Sequence, residues 1–313
     1  MNIKQLEYIV AVDTCRHFGN AAEMCGVTQP TLSMMIQKLE EELNLHIFDR
    51  SQKPVEPTAI GAQIIVQARV SLRYFGQIKE LVQSEQGVAK GSFTLGIIPT
   101  IATYLVPVLL QNQQNANNGI ELTITELTTA EIIKNILNGT IDGGILAGPL
   151  NHAELNEFPL YYEKFYAYVS PQDKLYKQKE IDLETVDIQN VWLLENEHCL
   201  RGQVERLCKL KRKNNAASPS VKYESGNIET LIHVVDYNSG ITIIPEMHAM
   251  GLSEEQQDNL RPFKNQTAVR EVSLIVGKDY VRQTLLGAIK ELVCTSVPKS
   301  MQNPELKAFV VDL

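Results

Sequence analysis

Two of the five cysteines stand nine positions apart in the segment LLENEHCLRGQVERLCK, at residues 193–209. Cys199 follows a histidine and closely precedes an arginine, and Cys208 stands near the end of the segment. A cysteine reacts as its thiolate, and a peroxide converts the thiolate to a sulfenic acid that condenses with a second thiol. The pair could therefore carry a reversible thiol-disulfide reaction.

The residues around Cys199 favour a negative charge on its sulfur. We expect Cys199 to follow a strand and to open a helix, where backbone N–H groups and the helix dipole stabilise an anion. Asn196 could cap this helix, and His198 and Arg201 add hydrogen-bond donors or positive charge. Two glutamates of the same segment act in the opposite direction, so we expect only partial stabilisation of the thiolate.

The spacing of the two cysteines constrains any disulfide between them. If the segment is helical, nine residues separate the Cα atoms by roughly 13 Å. A disulfide requires a separation of about 7 Å or less. Oxidation would therefore remodel residues 199–208, and a remodelled segment could shift a subunit interface.

Two other kinds of chemistry use the same residues. A metal site could be built from His198, Cys199 and Cys208, but the sequence has none of the close Cys-x-x-Cys pairs typical of zinc sites. A two-cysteine peroxidase shares the sulfur chemistry, and turnover of peroxide would distinguish it. The remaining cysteines lie in apolar helical patterns and are interpreted as simply buried: Cys15, Cys25 and Cys294.

Composition indicates an ordinary globular protein. The 313 residues are 44% hydrophobic and 21% charged, which is enough for two or three compact domains. No basic n-region followed by an apolar h-region opens the sequence, and the most apolar run, residues 101–110, is too short to span a bilayer. In a reducing compartment, an odd number of cysteines without framework spacing argues against structural disulfides. We therefore predict a cytoplasmic protein without a membrane partner. The net charge of −8 gives no support to nucleic-acid binding.

Helical periodicity near the amino terminus predicts a helix, a tight turn and a second helix. In the turn CGVTQP, Gly26 suits positive φ, Thr28 is a good N-cap and Pro30 falls in the first helical turn. Two helices joined this tightly form a helix-turn-helix, and the start of the second helix would meet base edges in the major groove. The candidate contacts there are Gln29, Pro30, Thr31 and Ser33.

A long helix is predicted from Thr58, a plausible N-cap, to about Gln86. Its apolar residues alternate at spacings of three and four, as in a heptad seam. The seam residues are Ile65, Ala68, Leu72, Phe75 and Val82. This periodicity alone favours equally a helix packed on its own domain and a helix that pairs two subunits.

Beyond Ser92, short β-rich runs alternate with helical patterns. This alternation predicts parallel sheets covered on both faces, in two subdomains with a crevice between them. Ligands in such folds bind at the carboxyl ends of strands. Three strands are expected to end at one crevice, at Thr100, Thr129 and Cys199, although helix capping explains the two threonines equally well.

Four amino-terminal segments, LEYIVAV, AAEMCGVTQPTLSMMIQKLEEEL, LHIFDR and PTAIG, resemble the LysR-type transcriptional regulators over about the first 85 residues. The resemblance implies an N-terminal all-α winged helix-turn-helix with a long linker helix that pairs two subunits. It also implies a C-terminal α/β regulatory domain of two Rossmann-like subdomains, similar to periplasmic binding proteins. The DNA contacts implied outside the start of the reading helix are Lys38, Arg50 and Lys53.

The expected domain boundaries follow from the same resemblance. They are residues 1–58 for the winged helix-turn-helix, 59–87 for the linker helix, and 88–300 for the regulatory domain, with subdomain I at 92–163 and 268–300, subdomain II at 164–267, and a tail at 301–313 without an assigned function.

The segment LLENEHCLRGQVERLC resembles the peroxide-sensing members of this family. The resemblance implies that Cys199 is the peroxidatic cysteine and Cys208 the resolving one. The pocket that holds hydrogen peroxide would be lined by Thr100, Thr129, His198 and Arg201. A metabolite-responsive regulator with incidental thiols is the alternative within the same family.

The resemblance also implies the partners of the protein. They are double-stranded promoter DNA, further copies of the chain in a dimer of dimers, RNA polymerase, and a thioredoxin- or glutaredoxin-type reductant that resets the disulfide. No enzymatic activity, cofactor or metal ion is implied.

Charge in the reading domain departs from what DNA binding favours. Residues 1–90 contain nine lysines and arginines against ten aspartates and glutamates, a net charge of −1. We therefore expect each copy to bind DNA modestly and with strong salt dependence, and several copies to act together.

Overall fold

The computed structural model describes residues 1–84, 90–116, 119–183, 186, 190–195, 199–207, 223, 225–264 and 268–311. The chain forms two compact units. One comprises Met1–Val88 with Lys134–Thr140, and the other comprises Ala89–Ile133 with Ile141–Leu313. Each unit has its own apolar core.

The amino-terminal unit is a winged helix-turn-helix followed by a long helix, which confirms the predicted fold class. Its elements are α1 (Ile3–Cys15), α2 (Phe18–Met24), α3 (Gln29–Leu43), the wing strands β1 (Phe48–Asp49) and β2 (Glu56–Pro57), and α4 (Ala59–Ser84). β1 and β2 pair antiparallel. The fully buried side chains of α1 and α3 form the core on which α2 and α4 pack.

The tight turn between α2 and α3 has the predicted backbone. Gly26 has φ of +65°, and Pro30 lies in the first turn of α3, where its missing N–H leaves no helical bond unmade. Thr28 occupies the N-cap position in extended conformation, but its hydroxyl bonds the hydroxyl of Thr31 at 2.8 Å instead of a backbone N–H. The turn therefore depends on backbone conformation more than on a side-chain cap.

The linker helix α4 corrects part of the predicted subunit seam. Ile65 and Ala68 are each 2% exposed and belong to the core of their own unit. Leu72 is half-buried, Phe75 is exposed, and the side chain of Val82 lies outside the described residues. Packing on its own domain, the alternative left open by the periodicity, accounts for the first two seam positions.

A close approach fixes the start of α4. Thr58 caps the helix, since its hydroxyl accepts a hydrogen bond from the Gly61 N–H at 3.0 Å and donates one to the His46 carbonyl at 2.8 Å. A Cβ atom at Gly61 would overlap the carbonyl oxygen of Ile47. Glycine at this position therefore lets α4 lie against the loop that leads into the wing.

The second unit alternates strands and helices as predicted, around a mixed sheet. Its strands are β3 (Gly91–Ile97), β4 (Ile120–Glu126), β5 (Gly143–Gly148), β6 (Leu155–Val169), β7 (Ile241–Pro245), β8 (Leu260–Pro262) and β9 (Val269–Gly277). Its helices are α5 (Pro99–Ala116), α6 (Thr129–Leu137), α7 (Cys199–Leu207), α8 (Ile228–Tyr237), α9 (Glu246–Met250), α10 (Glu254–Gln257) and α11 (Gln283–Thr295).

The sheet is not wholly parallel, which corrects the sequence-based expectation. Its strand order is β4-β3-β5-β9-β6-β7, and β8 pairs with β6. β3 is parallel to β4 and β5, whereas β9 is antiparallel to both β5 and β6. β7 and β8 are also antiparallel to β6. Strand direction was missed because β6 and β9 carry the chain out of one part of the sheet and back, a property that alternation of elements does not encode.

The strand predicted to end at Cys199 is also corrected. Residues 190–195 form only isolated bridges, Val191 with Ile241 and Leu194 with Ser225. α7 nevertheless begins at Cys199, as predicted. Asn196, its predicted cap, lies outside the described residues.

The carboxyl-terminal segment packs on the crossing strands. Two 3-10 turns, Lys299–Gln302 and Pro304–Phe309, lead to Val311, whose N–H donates a 2.9 Å hydrogen bond to the Val269 carbonyl of β9. Leu306 is buried in an apolar cluster with Tyr162 and Val269. In the described part of the chain, no helix combines the length and apolarity needed to cross a bilayer.

Candidate functional site

Cys199 lies where the amino-terminal ends of two helices meet. It is the first residue of α7, and its Sγ is 2.6 Å from the hydroxyl oxygen of Thr129, the first residue of α6. Either atom can donate the hydrogen bond. Backbone N–H groups and dipoles at helix starts favour negative charge, so both helices act on this sulfur in the same direction. Cys199 is a half-buried residue.

Arg201 ties the segment before the cysteine to α7. Its Nη1 donates to the Leu194 carbonyl at 3.0 Å and its Nε donates to a Glu205 carboxylate oxygen at the same distance. The side chain is 12% exposed. The guanidinium therefore links residue 194 to α7 two positions after Cys199.

Thr100 lies at a buried ion pair. It is the second residue of α5, and Arg270 donates to its hydroxyl from Nη1 at 3.3 Å and to its carbonyl from Nη2 at 3.0 Å. Arg270 Nε also donates to Glu163 at 2.6 Å, and Glu163 in turn accepts from the Met247 N–H at 3.2 Å. This pair, with side chains 1% and 0% exposed, holds the starts of α5 and α9 to the crossing strands β9 and β6.

Gln203 presents an unpaired amide one helical turn after Cys199. Its side chain is fully buried, and neither its nitrogen nor its oxygen has a hydrogen-bond partner among the described residues. A buried amide without partners is costly unless a small polar molecule binds it. The described structure brings Thr129 and Cys199 together and places Gln203 on the same short helix, whereas His198 and Cys208 lie outside the described residues.

His248 is a buried histidine beside the ion pair. It is 1% exposed, its ring lies edge-on to Tyr104 with centroids 4.5 Å apart, and its Nε2 is 3.7 Å from a Glu229 carboxylate oxygen. Burial, reinforced by the charge of Arg270, lowers the pKa of His248 to about 3. The imidazole is therefore neutral at neutral pH.

Cys15, Cys25 and Cys294 are half-buried instead of fully buried, which corrects their interpretation. Burial raises the pKa of the Cys25 and Cys294 thiols, which disfavours their thiolates. Among the described residues, no three metal-ligating side chains lie close enough together to hold an ion.

The predicted DNA contacts lie on α3 and in the wing. Exposed side chains are Gln29, Pro30, Thr31, Lys38, Arg50 and Lys53, and Ser33 is half-buried. Arg50 is fixed on two sides: its Nη2 is 3.0 Å from Glu40, and its guanidinium carbon lies 5.2 Å from the centre of the Phe18 ring. The cleft beside it is lined by Gln37, Glu40, His46, Phe48, Asp49, Arg50 and Thr58.

Comparison with known families accounts for both units. Residues 3–62 match the bacterial regulatory helix-turn-helix proteins of the lysR family, and residues 65–294 match the LysR substrate binding domain. The chain belongs to the LysR family of transcription regulators. The LysR helix-turn-helix is the described α2, turn and α3, and the LysR substrate binding domain holds Cys199 and Arg270.

Several LysR-family relatives are similar along most of the chain. The hydrogen peroxide-inducible genes activator of Haemophilus influenzae is 29% identical over 88% of this chain and 90% of its own length. The DNA-binding transcriptional dual regulator OxyR of Escherichia coli is 30% identical over 79% of this chain and 80% of its own. Full-length OxyR from Pseudomonas aeruginosa superposes with a TM-score of 0.78 at 29% identity, covering 94% of this chain and 98% of that one.

Three buried residues of this LysR regulator escaped sequence reasoning: Glu163, Gln203 and Arg270. Arg270 and Glu163 stand inside apolar strand patterns, where a charge signals either an edge or a buried pair. Gln203 falls one turn after the cysteine on a predicted helix, so helical spacing offered a signal for it.

Proposed function

We propose that this LysR-family regulator senses hydrogen peroxide through Cys199 and changes its contacts with promoter DNA when the cysteine is oxidised. The observation that carries the proposal is the position of Cys199 Sγ at the start of α7, 2.6 Å from the Thr129 hydroxyl at the start of α6. The printed names of the relatives, peroxide-inducible activators and OxyR, support the choice of oxidant.

The first chemical step is attack of the Cys199 thiolate on one oxygen of hydrogen peroxide. The S–O bond forms as the O–O bond breaks, the sulfur loses two electrons, and the leaving hydroxide takes a proton to become water. The hydroxyl of Thr129 and the amide of Gln203 would hold the peroxide beside the sulfur, and His198 would complete the pocket. Arg270 would orient Thr100 at its edge.

The second step is condensation of the sulfenic acid with the Cys208 thiol, which forms the disulfide and releases water. Cys199–Leu207 is helical, so the chain rises about 12 Å between those two Cα atoms. Cys208 follows Leu207 directly, and consecutive Cα atoms are about 3.8 Å apart. The Cα atoms of Cys199 and Cys208 are therefore at least roughly 8 Å apart, more than the 7 Å or so that a disulfide permits. Disulfide formation therefore requires α7 to unwind, which is how local oxidation would change the whole domain.

DNA contact is proposed for α3 and the wing. The reading residues are Gln29, Thr31 and Ser33 with Pro30 shaping the turn, and the phosphate contacts are Lys38, Arg50 and Lys53. We further propose a dimer of dimers that recruits RNA polymerase in the cytoplasm, with a thioredoxin- or glutaredoxin-type protein as reductant. Exposed apolar residues of α4, which include Phe75 at 47% and Ile78 at 60%, support pairing of subunits there.

The test is a peroxide titration of the reduced protein with thiol mapping by mass spectrometry and parallel DNA footprinting. Wild type is compared with Cys199→Ser and with Cys294→Ser, which removes a thiol from α11. We expect a 199–208 disulfide and a shifted footprint in wild type and in Cys294→Ser, and neither in Cys199→Ser.

Two results would contradict the proposal. A footprint that ignores thiol oxidation would favour a regulator that responds to a metabolite in the same domain. Rapid turnover of many equivalents of peroxide without a footprint change would favour a peroxidase.

A further inference from the structure

We infer that Glu40 is a positioning residue for DNA binding, because its carboxylate fixes the wing and the Arg50 guanidinium against the recognition helix α3. The inference rests on the proposed phosphate contact of Arg50. It assigns a role in binding DNA to a buried acidic residue, whose charge by itself would oppose binding.

A single carboxylate joins α3 to the wing. Glu40 is 5% exposed, and its Oε1 accepts hydrogen bonds from the backbone N–H groups of Ile47 at 2.7 Å and Phe48 at 3.3 Å. Its Oε2 accepts from Arg50 Nη2 at 3.0 Å. The helix that reads bases and the strand that begins the wing are therefore held by one side chain.

Arg50 is fixed from a second direction by aromatic rings. Its guanidinium carbon lies 5.2 Å from the centre of the Phe18 ring, and Phe18 packs edge-on against Phe48 with ring centres 6.0 Å apart. The Arg50 side chain is still 42% exposed. Guanidinium has five N–H donors in a rigid fork, and the bond to Glu40 uses only one nitrogen. Because the side chain is partly exposed, donors that Glu40 does not use can bind a phosphate.

Positioning matters here because the reading domain has few cations to use. Nine basic residues face ten acidic ones over residues 1–90. Two of the basic side chains, Arg16 and Arg69, pair with Asp13. A cation that is already oriented loses less conformational entropy when it binds a phosphate, so its contribution to affinity is larger.

The sign of a charge-removing substitution distinguishes positioning from simple repulsion. Glu41 stands next to Glu40 on α3, is exposed and accepts a bond from Gln37. Removing its charge should leave DNA affinity unchanged or raise it, because DNA repels carboxylates. Removing the charge of Glu40 should instead weaken binding, because Arg50 loses its anchor.

The experiment measures the Kd of the reduced full-length protein for a fluorescent mixed-sequence duplex over a series of salt concentrations. The variants are Arg50→Gln, Glu40→Gln, the double variant and Glu41→Gln. We expect Arg50→Gln to raise Kd roughly tenfold. It should also reduce the slope of log K against log salt by about one for each DNA-bound reading domain. Glu40→Gln should reproduce most of both effects, and the double variant should equal Arg50→Gln alone.

A further variant separates positioning of Arg50 from an effect of the Glu40 charge alone. Glu40→Asp keeps the charge but shortens the side chain, so it should also weaken binding, whereas a role through charge alone predicts wild-type affinity. Thermal unfolding of each variant shows whether the domain remains folded.

Three results for Glu40→Gln overturn the inference by themselves. Glu40→Gln could bind as tightly as Glu41→Gln, or weaken binding without changing the salt slope, or add its full effect to that of Arg50→Gln. If Arg50→Gln itself leaves the slope unchanged, the proposed phosphate contact fails, and the inference fails with it. If Arg50→Gln alone changes the slope, the phosphate contact stands and only the role of Glu40 is rejected.

Discussion

Two arginine-glutamate pairs, one in each unit, have the same chemistry and different surroundings. Glu163 and Arg270 are 0% and 1% exposed, and every bond described for them ends on other parts of the protein. Glu40 is as deeply buried, at 5%, but its partner Arg50 is 42% exposed. The comparison indicates that the exposure of the arginine decides what such a pair can do. The buried Arg270 can only stabilise the fold, whereas the exposed Arg50 remains accessible to a ligand.

The largest expected effect comes from breaking the buried pair. Arg270→Met would leave the Glu163 carboxylate buried without its counter-ion, which costs about 3 to 5 kcal/mol of unfolding free energy. The measurement is urea unfolding of the reduced protein. Adding Glu163→Gln to the same chain should recover part of the loss, and a loss below about 1 kcal/mol would put this pair in the class of exposed ion pairs.

The pH dependence of stability tests whether water is excluded from His248, which lies beside Arg270. The folded pKa of His248, about 3, lies below its ordinary value of 6.5, so the unfolded chain binds the proton first as pH falls. Stability from this residue is complete above about pH 6.5 and is lost as pH falls from there toward pH 3, by about 2 kcal/mol at pH 5. His248→Phe should flatten the stability curve between pH 7 and pH 5, as measured by urea unfolding at each pH. An unchanged curve would show that water reaches this histidine.

A substitution beside Cys199 should change the rate of its oxidation without changing the stability of the fold. Thr129→Val removes the hydroxyl that lies beside Cys199 Sγ and should slow oxidation by peroxide roughly tenfold in stopped-flow measurements, since such a bond to a charged group is worth about 1.5 kcal/mol. Thr129→Ser keeps the hydroxyl and should react at nearly the wild-type rate. Equal rates for the valine variant and wild type would remove Thr129 from the proposed site.

Only a small effect on stability is expected at the wing. Arg50→Met should change the unfolding free energy by no more than about 1 kcal/mol, because half-exposed ion pairs are screened by solvent. Its loss of DNA affinity should be much the larger consequence. A stability loss as large as that of Arg270→Met would erase the distinction between the two pairs.

Local signals made much of the fold predictable. The turn with Gly26 and the start of α4 after Thr58 depend on residues within one helical turn, and both were predicted correctly. The direction of β9 and the two buried seam positions depend on contacts between distant segments, which periodicity does not contain. The same holds for Arg270, whose partners are 170 and 107 positions away in the chain.

In the candidate site, the reactive cysteine could be predicted from the sequence, but the buried polar residues around it could not. The cysteine spacing and the resemblance named Cys199 and Thr129, which the structure brings within bonding distance. Gln203 and the pair that anchors Thr100 became visible only once burial was known, because a buried polar group is recognised by what surrounds it.

The contact between Gly61 and the Ile47 carbonyl has a genetic consequence. Any single-base change at the first or second base of a glycine codon replaces glycine, and every side chain begins with the Cβ atom for which there is no room at position 61. Such a change would force α4 away from the loop whose N–H is bound by Glu40. In a random screen for lost promoter control, substitutions at this codon should therefore be recovered alongside those at the residues proposed to contact DNA.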